Sequence, residues 1–250
     1  MSTPAILALL GAGIVAGVFS TVAALASVVS YPVLLALGLP PVSANVTNTV
    51  ALVFTGAGAA AGSRRELAGQ RGLVVRLGLL AAAGGTAGAA LLLLTPASAF
   101  EAVAPWLIGA ASVLLIVQPM IAALSARPGR ERSWPLRAAL AAVGVYVGYF
   151  GAAAGILLLA ALSAMLDQPL ARINAVKNVV SGLANAAAAV GFALFGPVRW
   201  GAAMPLAAGF LAGGWIGPAL VRRLPPRALR IGVGLCGLGL AVRLGLGAYH

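Results

Sequence analysis

The chain has 250 residues, of which 62% are hydrophobic and 8% are charged, and its mean hydropathy is +1.06. Average soluble proteins carry about 25% charged residues, so this composition excludes a soluble domain and predicts a lipid bilayer as the solvent. The net charge of +12 could suit nucleic acid. However, the arginines cluster between apolar stretches, which is typical of cytoplasmic loops and gives no reason to expect a nucleic-acid partner.

Eight apolar tracts are long enough to form membrane helices. Tract 1 (4–38) and tract 5 (136–166) are too long for one simple span, and both have small residues in the middle, from Ala23 to Ser27 and from Gly151 to Gly155. We therefore predict that tracts 1 and 5 are broken or re-entrant. The other tracts cover 43–62, 73–95, 103–124, 172–195, 200–221 and 228–247.

Tracts 1 and 5, each with the helix that follows it, show the same order of sequence features. Each runs through its small-residue centre to a short polar turn and then into a helix with a polar start, Asn-x-x-Asn-Thr from Asn45 or Asn-x-x-Lys-Asn from Asn174. Such internal similarity is typical of secondary transporters built from inverted repeats. We predict an all-α membrane protein with two inverted-topology repeats, 1–128 and 129–250, in one integral membrane domain.

The loop charges predict the topology. Loops 63–72, 125–136 and 222–230 are strongly basic and are therefore expected on the cytoplasmic side. If every tract crossed the membrane once, loop 222–230 would lie on the side opposite loop 125–136. All three loops share one side only if tract 5 returns to the side from which it entered or crosses twice. The repeat predicts the same for tract 1. This arrangement places both termini outside and makes the chain a multi-pass protein of the inner membrane.

Polar side chains at membrane depth are candidates for function. In tract 6 they recur at helical spacing from Asn174 to Asn185, which places them on one face of a helix. Tract 2 carries a related stripe, and the glycine-rich breaks would expose backbone N–H groups that suit an anion. The predicted substrate-binding residues are Ser27, Asn45, Asn48, Thr49, Gly151, Gly155, Asn174, Lys177, Asn178 and Ser181.

Two other interpretations of these residues remain open. The asparagines and threonines could simply join helices by hydrogen bonds, and Lys177 could extend to the membrane surface near Arg172. Glycine pairs four residues apart, such as Gly13 and Gly17, predict close helix packing.

The ionisable residues favour transport of an anion over catalysis. The four acidic residues lie in or beside predicted loops, and the single histidine and single cysteine cannot form a usual metal site. We therefore expect no enzyme activity and no cofactor. A site with amide, hydroxyl and backbone donors and one lysine, but no carboxylate, favours a small anion.

Several motifs give the chain a resemblance to the TauE/SafE sulfite exporter family. They are the small-residue centre, Pro32-x-Leu34-Leu35, Gly38-Leu39-Pro40 and Ala44 in the first half, and Phe150-Gly151 through Gly155 and Asn174-x-x-Lys177-Asn178 in the second. The resemblance implies permeation of sulfite, organosulfonates or related small anions across the bacterial inner membrane. A passive channel for small anions or neutral solutes, or a non-catalytic membrane subunit, is the alternative, and a homo-oligomer is possible in either case.

Overall fold

The computed structural model describes residues 2–23, 26–124 and 134–220, together with positions 238, 239, 242 and 246. The described ranges are helical and contain no strand. Five of their helices, α1, α5, α6, α9 and α10, are long and apolar enough to cross a membrane. The helices are α1 (Thr3–Ala23), α2 (Ala26–Ala36), α3 (Pro41–Gly62), α4 (Arg64–Leu67), α5 (Arg71–Leu94), α6 (Ala97–Leu124), α7 (Trp134–Tyr149), α8 (Ala154–Met165), α9 (Leu170–Phe195) and α10 (Trp200–Leu220).

The break predicted in tract 5 is confirmed. Helix α7 ends at Tyr149, and α8 begins at Ala154. Between them Gly151 has a φ of 72° and Ala153 a φ of 56°, which is the left-handed conformation that stops a right-handed helix and that glycine adopts without steric cost. The Gly151 amide donates to the Tyr146 carbonyl (2.8 Å), which closes the last turn of α7.

Tract 1 is likewise two helices, α1 and α2, although residues 24 and 25 between them lie outside the described residues. Helix α2 ends at a turn in which Gly38 has a φ of 83°. Helix α3 then starts with Pro41 in its first turn, where a proline has no hydrogen bond to lose. Because proline and glycine mark helix ends in the sequence itself, the predicted bounds of tract 2 (43–62) lie within two residues of those of α3 (Pro41–Gly62).

One helix starts more than two residues from its predicted position, and one predicted loop contains a helix. Helix α6 begins at Ala97 instead of residue 103, because Pro96 starts a helix that the single charge of Glu101 does not interrupt. The basic loop 63–72 contains the short helix α4. The loop at 222–230, tract 8, most of the loop at 125–136 and the boundary between residues 128 and 129 lie outside the described residues.

The helices pack in a reciprocal pattern across the two parts of the chain. Helix α1 packs on α10 and α7 packs on α5, while α3 contacts α10 and α9 contacts α5. Helices α3 and α9 also contact each other. Each broken tract therefore packs against a long helix from the other part, and the two helices with polar starts meet at the centre.

Glycines allow these helices to approach closely. At the α1–α10 and α5–α7 contacts, an added Cβ atom would meet the backbone of the opposite helix, so a larger residue would force the helices apart. This confirms the close helix packing that the glycine pairs predict. The glycines are Gly13, Gly17, Gly209 and Gly213 between α1 and α10, and Gly84, Gly88, Gly144 and Gly148 between α5 and α7.

Contacts at the helix ends identify the two faces of the bundle. Residues Ser2 and Ala5 line the same surface cavity as the 37–40 turn and residues 198–202, so α2 returns the chain to the face where α1 begins. On the other face, the Arg172 guanidinium donates to the carbonyls of Glu66 (3.2 Å) and Ala68 (2.7 Å). The start of α9, which follows the end of α8 after a short turn, therefore lies beside the basic 63–70 segment.

Candidate functional site

A small cavity of about 40 Å³ lies where the two broken tracts meet α3 and α9. Both breaks contribute to its wall, α2 through its first turn and α8 through its start. None of the described residues that line it is acidic. The lining residues are Ser20, Ala26, Ser27, Leu52, Thr55, Gly56, Val147, Gly151, Gly155, Lys177, Asn178, Ser181, Gly182 and Asn185.

A close crossing of α3 and α9 sets the geometry of the cavity. An added Cβ atom at Gly56 would lie 2.7 Å from the Cα of Gly182 and 3.6 Å from the Asn178 carbonyl oxygen. The two backbones are therefore in direct contact, and any residue larger than glycine at either position would prevent this contact. Thr55 on α3 and Asn178 on α9 both line the cavity beside this crossing.

Lys177 is buried within the protein. It lies seven residues into α9, about 10 Å from the start of the helix, and its side chain is 2% exposed. Its ammonium donates to the Ser20 carbonyl (3.2 Å), which is its one hydrogen bond within the described ranges. The ammonium thus lies at the carboxyl end of α1, where helix carbonyls favour a cation, and it does not extend to the membrane surface.

Two of the predicted asparagines cap the broken tracts, each from the other part of the chain. Asn45 on α3 donates to the Tyr149 carbonyl at the end of α7 (2.8 Å). Asn174 on α9 donates to the Thr21 carbonyl near the end of α1 (2.9 Å). The last carbonyls of a helix lack intrahelical partners, and in a membrane each unpaired group costs several kcal/mol. The two bonds therefore stabilise the breaks.

Asn48 forms hydrogen bonds through both its amide nitrogen and its amide oxygen. Its amide donates to the Ser27 hydroxyl (3.1 Å), and its oxygen accepts from the Ser30 hydroxyl (2.6 Å). These bonds hold the first turn of α2 against α3. The Thr49 hydroxyl donates within its own helix, to the Asn45 carbonyl (3.0 Å).

Two buried polar atoms at the cavity have no hydrogen-bond partner among the described residues, the Thr55 hydroxyl and the Asn178 side-chain nitrogen. Thr55 is 5% exposed and Asn178 is 7% exposed. Buried polar groups are nearly always hydrogen-bonded. Their position at the wall of a cavity therefore suggests that the missing partner is something that enters it.

An aromatic cluster buries the break of tract 5. Phe150 packs against Tyr31 (5.5 Å between ring centroids) and against Phe100 (6.0 Å). The Tyr146 hydroxyl donates to the Ala152 carbonyl inside the break (2.8 Å). The break is thus fixed by packing and by hydrogen bonds, and it directs the amino end of α8, including Gly155, at the cavity.

The structure therefore divides the ten predicted site residues into two groups. Six line the cavity, and four lie outside its lining, where they bond to backbone or to neighbouring side chains. The six are Ser27, Gly151, Gly155, Lys177, Asn178 and Ser181. The four are Asn45, Asn48, Thr49 and Asn174.

Three polar residues of the wall were not among the predicted ligands: Ser20, Thr55 and Asn185. Asn185 continues the stripe of Asn178 seven residues further along α9, and it donates to the Ser181 carbonyl (3.0 Å). Thr55 continues the stripe of Asn48 in the same way on α3. Both residues thus carry the sequence signal of the polar stripes, since the tract 6 stripe already reaches Asn185 and Thr55 follows loosely on that of tract 2, whereas Ser20 has no such signal.

Taken together, apolar helices long enough to span a bilayer, two broken tracts and a polar cavity between them define a polytopic membrane protein. Residues 9–244 match the sequence profile of the family described as Sulfite exporter TauE/SafE. The chain belongs to this family. Comparisons with curated proteins and with solved structures gave no significant match.

Proposed function

We propose that the protein is a secondary transporter that moves small anions such as sulfite or organosulfonates across the inner membrane. The observation that carries this proposal is the cavity between α3, α9 and the two breaks, in which a buried lysine and unpaired donors occur without a carboxylate. Membership of a sulfite exporter family supports the same class of substrate.

The chemistry of the wall suits an anion. An ion that leaves water must regain several strong interactions at once, because an unpaired buried charge is very unfavourable. The Lys177 ammonium supplies the opposite charge, the amide of Asn178 supplies a donor, and Gly155 lines the cavity at the start of α8, the positive end of the helix dipole. The same groups would disfavour a cation.

The architecture supports alternating access. We infer that residues 1–128 and 129–250 are inverted repeats, and the reciprocal contacts of α1 with α10 and of α7 with α5 support this relation. Inverted repeats typically bind their substrate near the midplane, at discontinuous helices. The face that carries Arg64, Arg65 and Arg172 is then cytoplasmic by the positive-inside rule, and the face of the 37–40 turn is external.

Counterflow in proteoliposomes tests the proposal against a passive channel. Vesicles loaded with unlabelled sulfite should accumulate radiolabelled sulfite transiently, and the initial rate should saturate with concentration. A channel would give equilibration without this overshoot. If neither sulfite nor organosulfonates cross the membrane of these vesicles, the proposed function is refuted.

A further inference from the structure

We propose that Thr55 and Asn178 are the paired oxyanion donors of the cavity and that the site accepts a compact inorganic oxyanion without an organic tail. This inference rests on the proposed function and assigns its ligands and its substrate class. Its basis is the two unpartnered polar atoms, each on a side chain more than nine-tenths buried, on residues that line the same cavity beside the α3–α9 crossing.

The hydroxyl of Thr55 differs from the other helical hydroxyls of comparable position. A threonine or serine inside a helix commonly bonds to the carbonyl one turn before it, as Thr49, Thr86 and Ser112 do here. Thr55 does not make this bond, and its oxygen is buried without any partner in the described part of the chain. Its proton is therefore available to a ligand.

The amide of Asn178 differs from those of the other asparagines. The side-chain nitrogens of Asn45, Asn48, Asn174 and Asn185 each donate to an identified acceptor. The nitrogen of Asn178 has none within the described residues, although it lies one residue after Lys177. The site thus combines an unpaired hydroxyl, an unpaired amide and an ammonium, together with the amino end of α8 at Gly155.

The size of the cavity limits what these donors can hold. A water molecule needs about 10–15 Å³ of such volume, so 40 Å³ accommodates about three water-sized atoms. That matches the oxygens of a small ion such as sulfite, whereas the carbon chain of an organosulfonate needs space beyond this volume. The site is therefore expected to select against organic tails.

Binding to the purified full chain, measured by calorimetry and by thermal shift, tests both parts of this inference. Thr55→Val keeps the shape of the side chain and removes an unpaired hydroxyl, so the ligand-free protein should be as stable as the wild type or more so. Sulfite affinity should nevertheless fall about 10- to 100-fold, as for the loss of a hydrogen bond to a charged group. Asn178→Leu should behave similarly, and ethanesulfonate should not bind the wild type at concentrations that saturate with sulfite.

The controls separate a ligand role from a structural one. Thr86→Val changes an exposed threonine that bonds to its own helix, and it should leave sulfite affinity unchanged. Wild-type affinity in Thr55→Val or in Asn178→Leu would overturn the donor assignment, and ethanesulfonate binding as tight as that of sulfite would overturn the size limit. Either result leaves the proposed function intact, whereas a wild type that binds no oxyanion refutes both.

Discussion

The contact between Gly56 and Gly182 gives the sharpest quantitative test of the geometry of the site. In Gly56→Ala the new Cβ would lie 2.7 Å from the Cα of Gly182, whereas carbon atoms normally approach to about 3.5–4.0 Å. The helices α3 and α9 must therefore separate by about 1 Å. Overpacking of this kind costs about 1–3 kcal/mol, which is roughly a 5- to 150-fold change in the unfolding equilibrium.

The matched control is Gly191→Ala on α9, the helix that carries Gly182, where the nearest atom to an added Cβ is 3.9 Å away. Both substitutions gain the same helix propensity, about 1 kcal/mol or less, so their difference isolates the overpacking. Thermal unfolding in detergent should place Gly56→Ala below Gly191→Ala by about 2–4 °C for each kcal/mol. Sulfite affinity should fall in Gly56→Ala alone, because Thr55 moves away from Asn178. Equal stability and equal affinity in the two variants would refute the close crossing.

Three further outcomes are expected. Lys177→Met, which keeps the length of the side chain and removes its charge, should lower sulfite flux in proteoliposomes about 10- to 100-fold; unchanged flux would exclude Lys177 as the anion's counter-charge. Asn174→Leu should lower the free energy of unfolding by about 1–3 kcal/mol, because it leaves the buried carbonyl at the end of α1 unpaired. The control Asn185→Leu should lower it less, because the bond of Asn185 lies within its own helix. Equal losses of the two variants in chemical denaturation would argue against the cap. In a cysteine-free background, Thr3→Cys should react with an impermeant maleimide from the periplasmic side and Asp167→Cys from the cytoplasmic side, and the reverse pattern would invert the topology.

The sequence was most informative about the course of the backbone. Tract 5 was predicted to be broken because it is too long for one span and contains Gly151, and the chain does break there. Proline and glycine fix helix ends by local sterics, so they can be interpreted without knowledge of the tertiary contacts. Tract 4 is predicted to begin at residue 103, whereas α6 begins at Ala97, because the apolar stretch alone does not mark where a helix that follows a proline starts.

The sequence was less informative about which polar residues share a cavity. Asn45 and Asn178 have the same side chain and both lie on polar stripes, yet the first caps α7 and the second has an unpaired nitrogen at the cavity. The difference lies in tertiary contacts, since Asn45 meets the end of α7 and Asn178 lies beside the Gly56–Gly182 crossing. Neither glycine belongs to a pair spaced four apart that would have marked the contact, so periodicity alone could not predict it.

The central claim, that an oxyanion binds between α3, α9 and the two breaks, is tested most directly by locating one. Selenite resembles sulfite in shape and scatters X-rays anomalously, and a variant with Cys236→Ala lacks the only thiol with which it could react. Crystals of this variant grown with selenite should give an anomalous peak inside the cavity, with oxygens within hydrogen-bond distance of Thr55, Lys177 and Asn178. An empty cavity, with the anomalous peak instead at a surface arginine such as Arg199, would contradict the account.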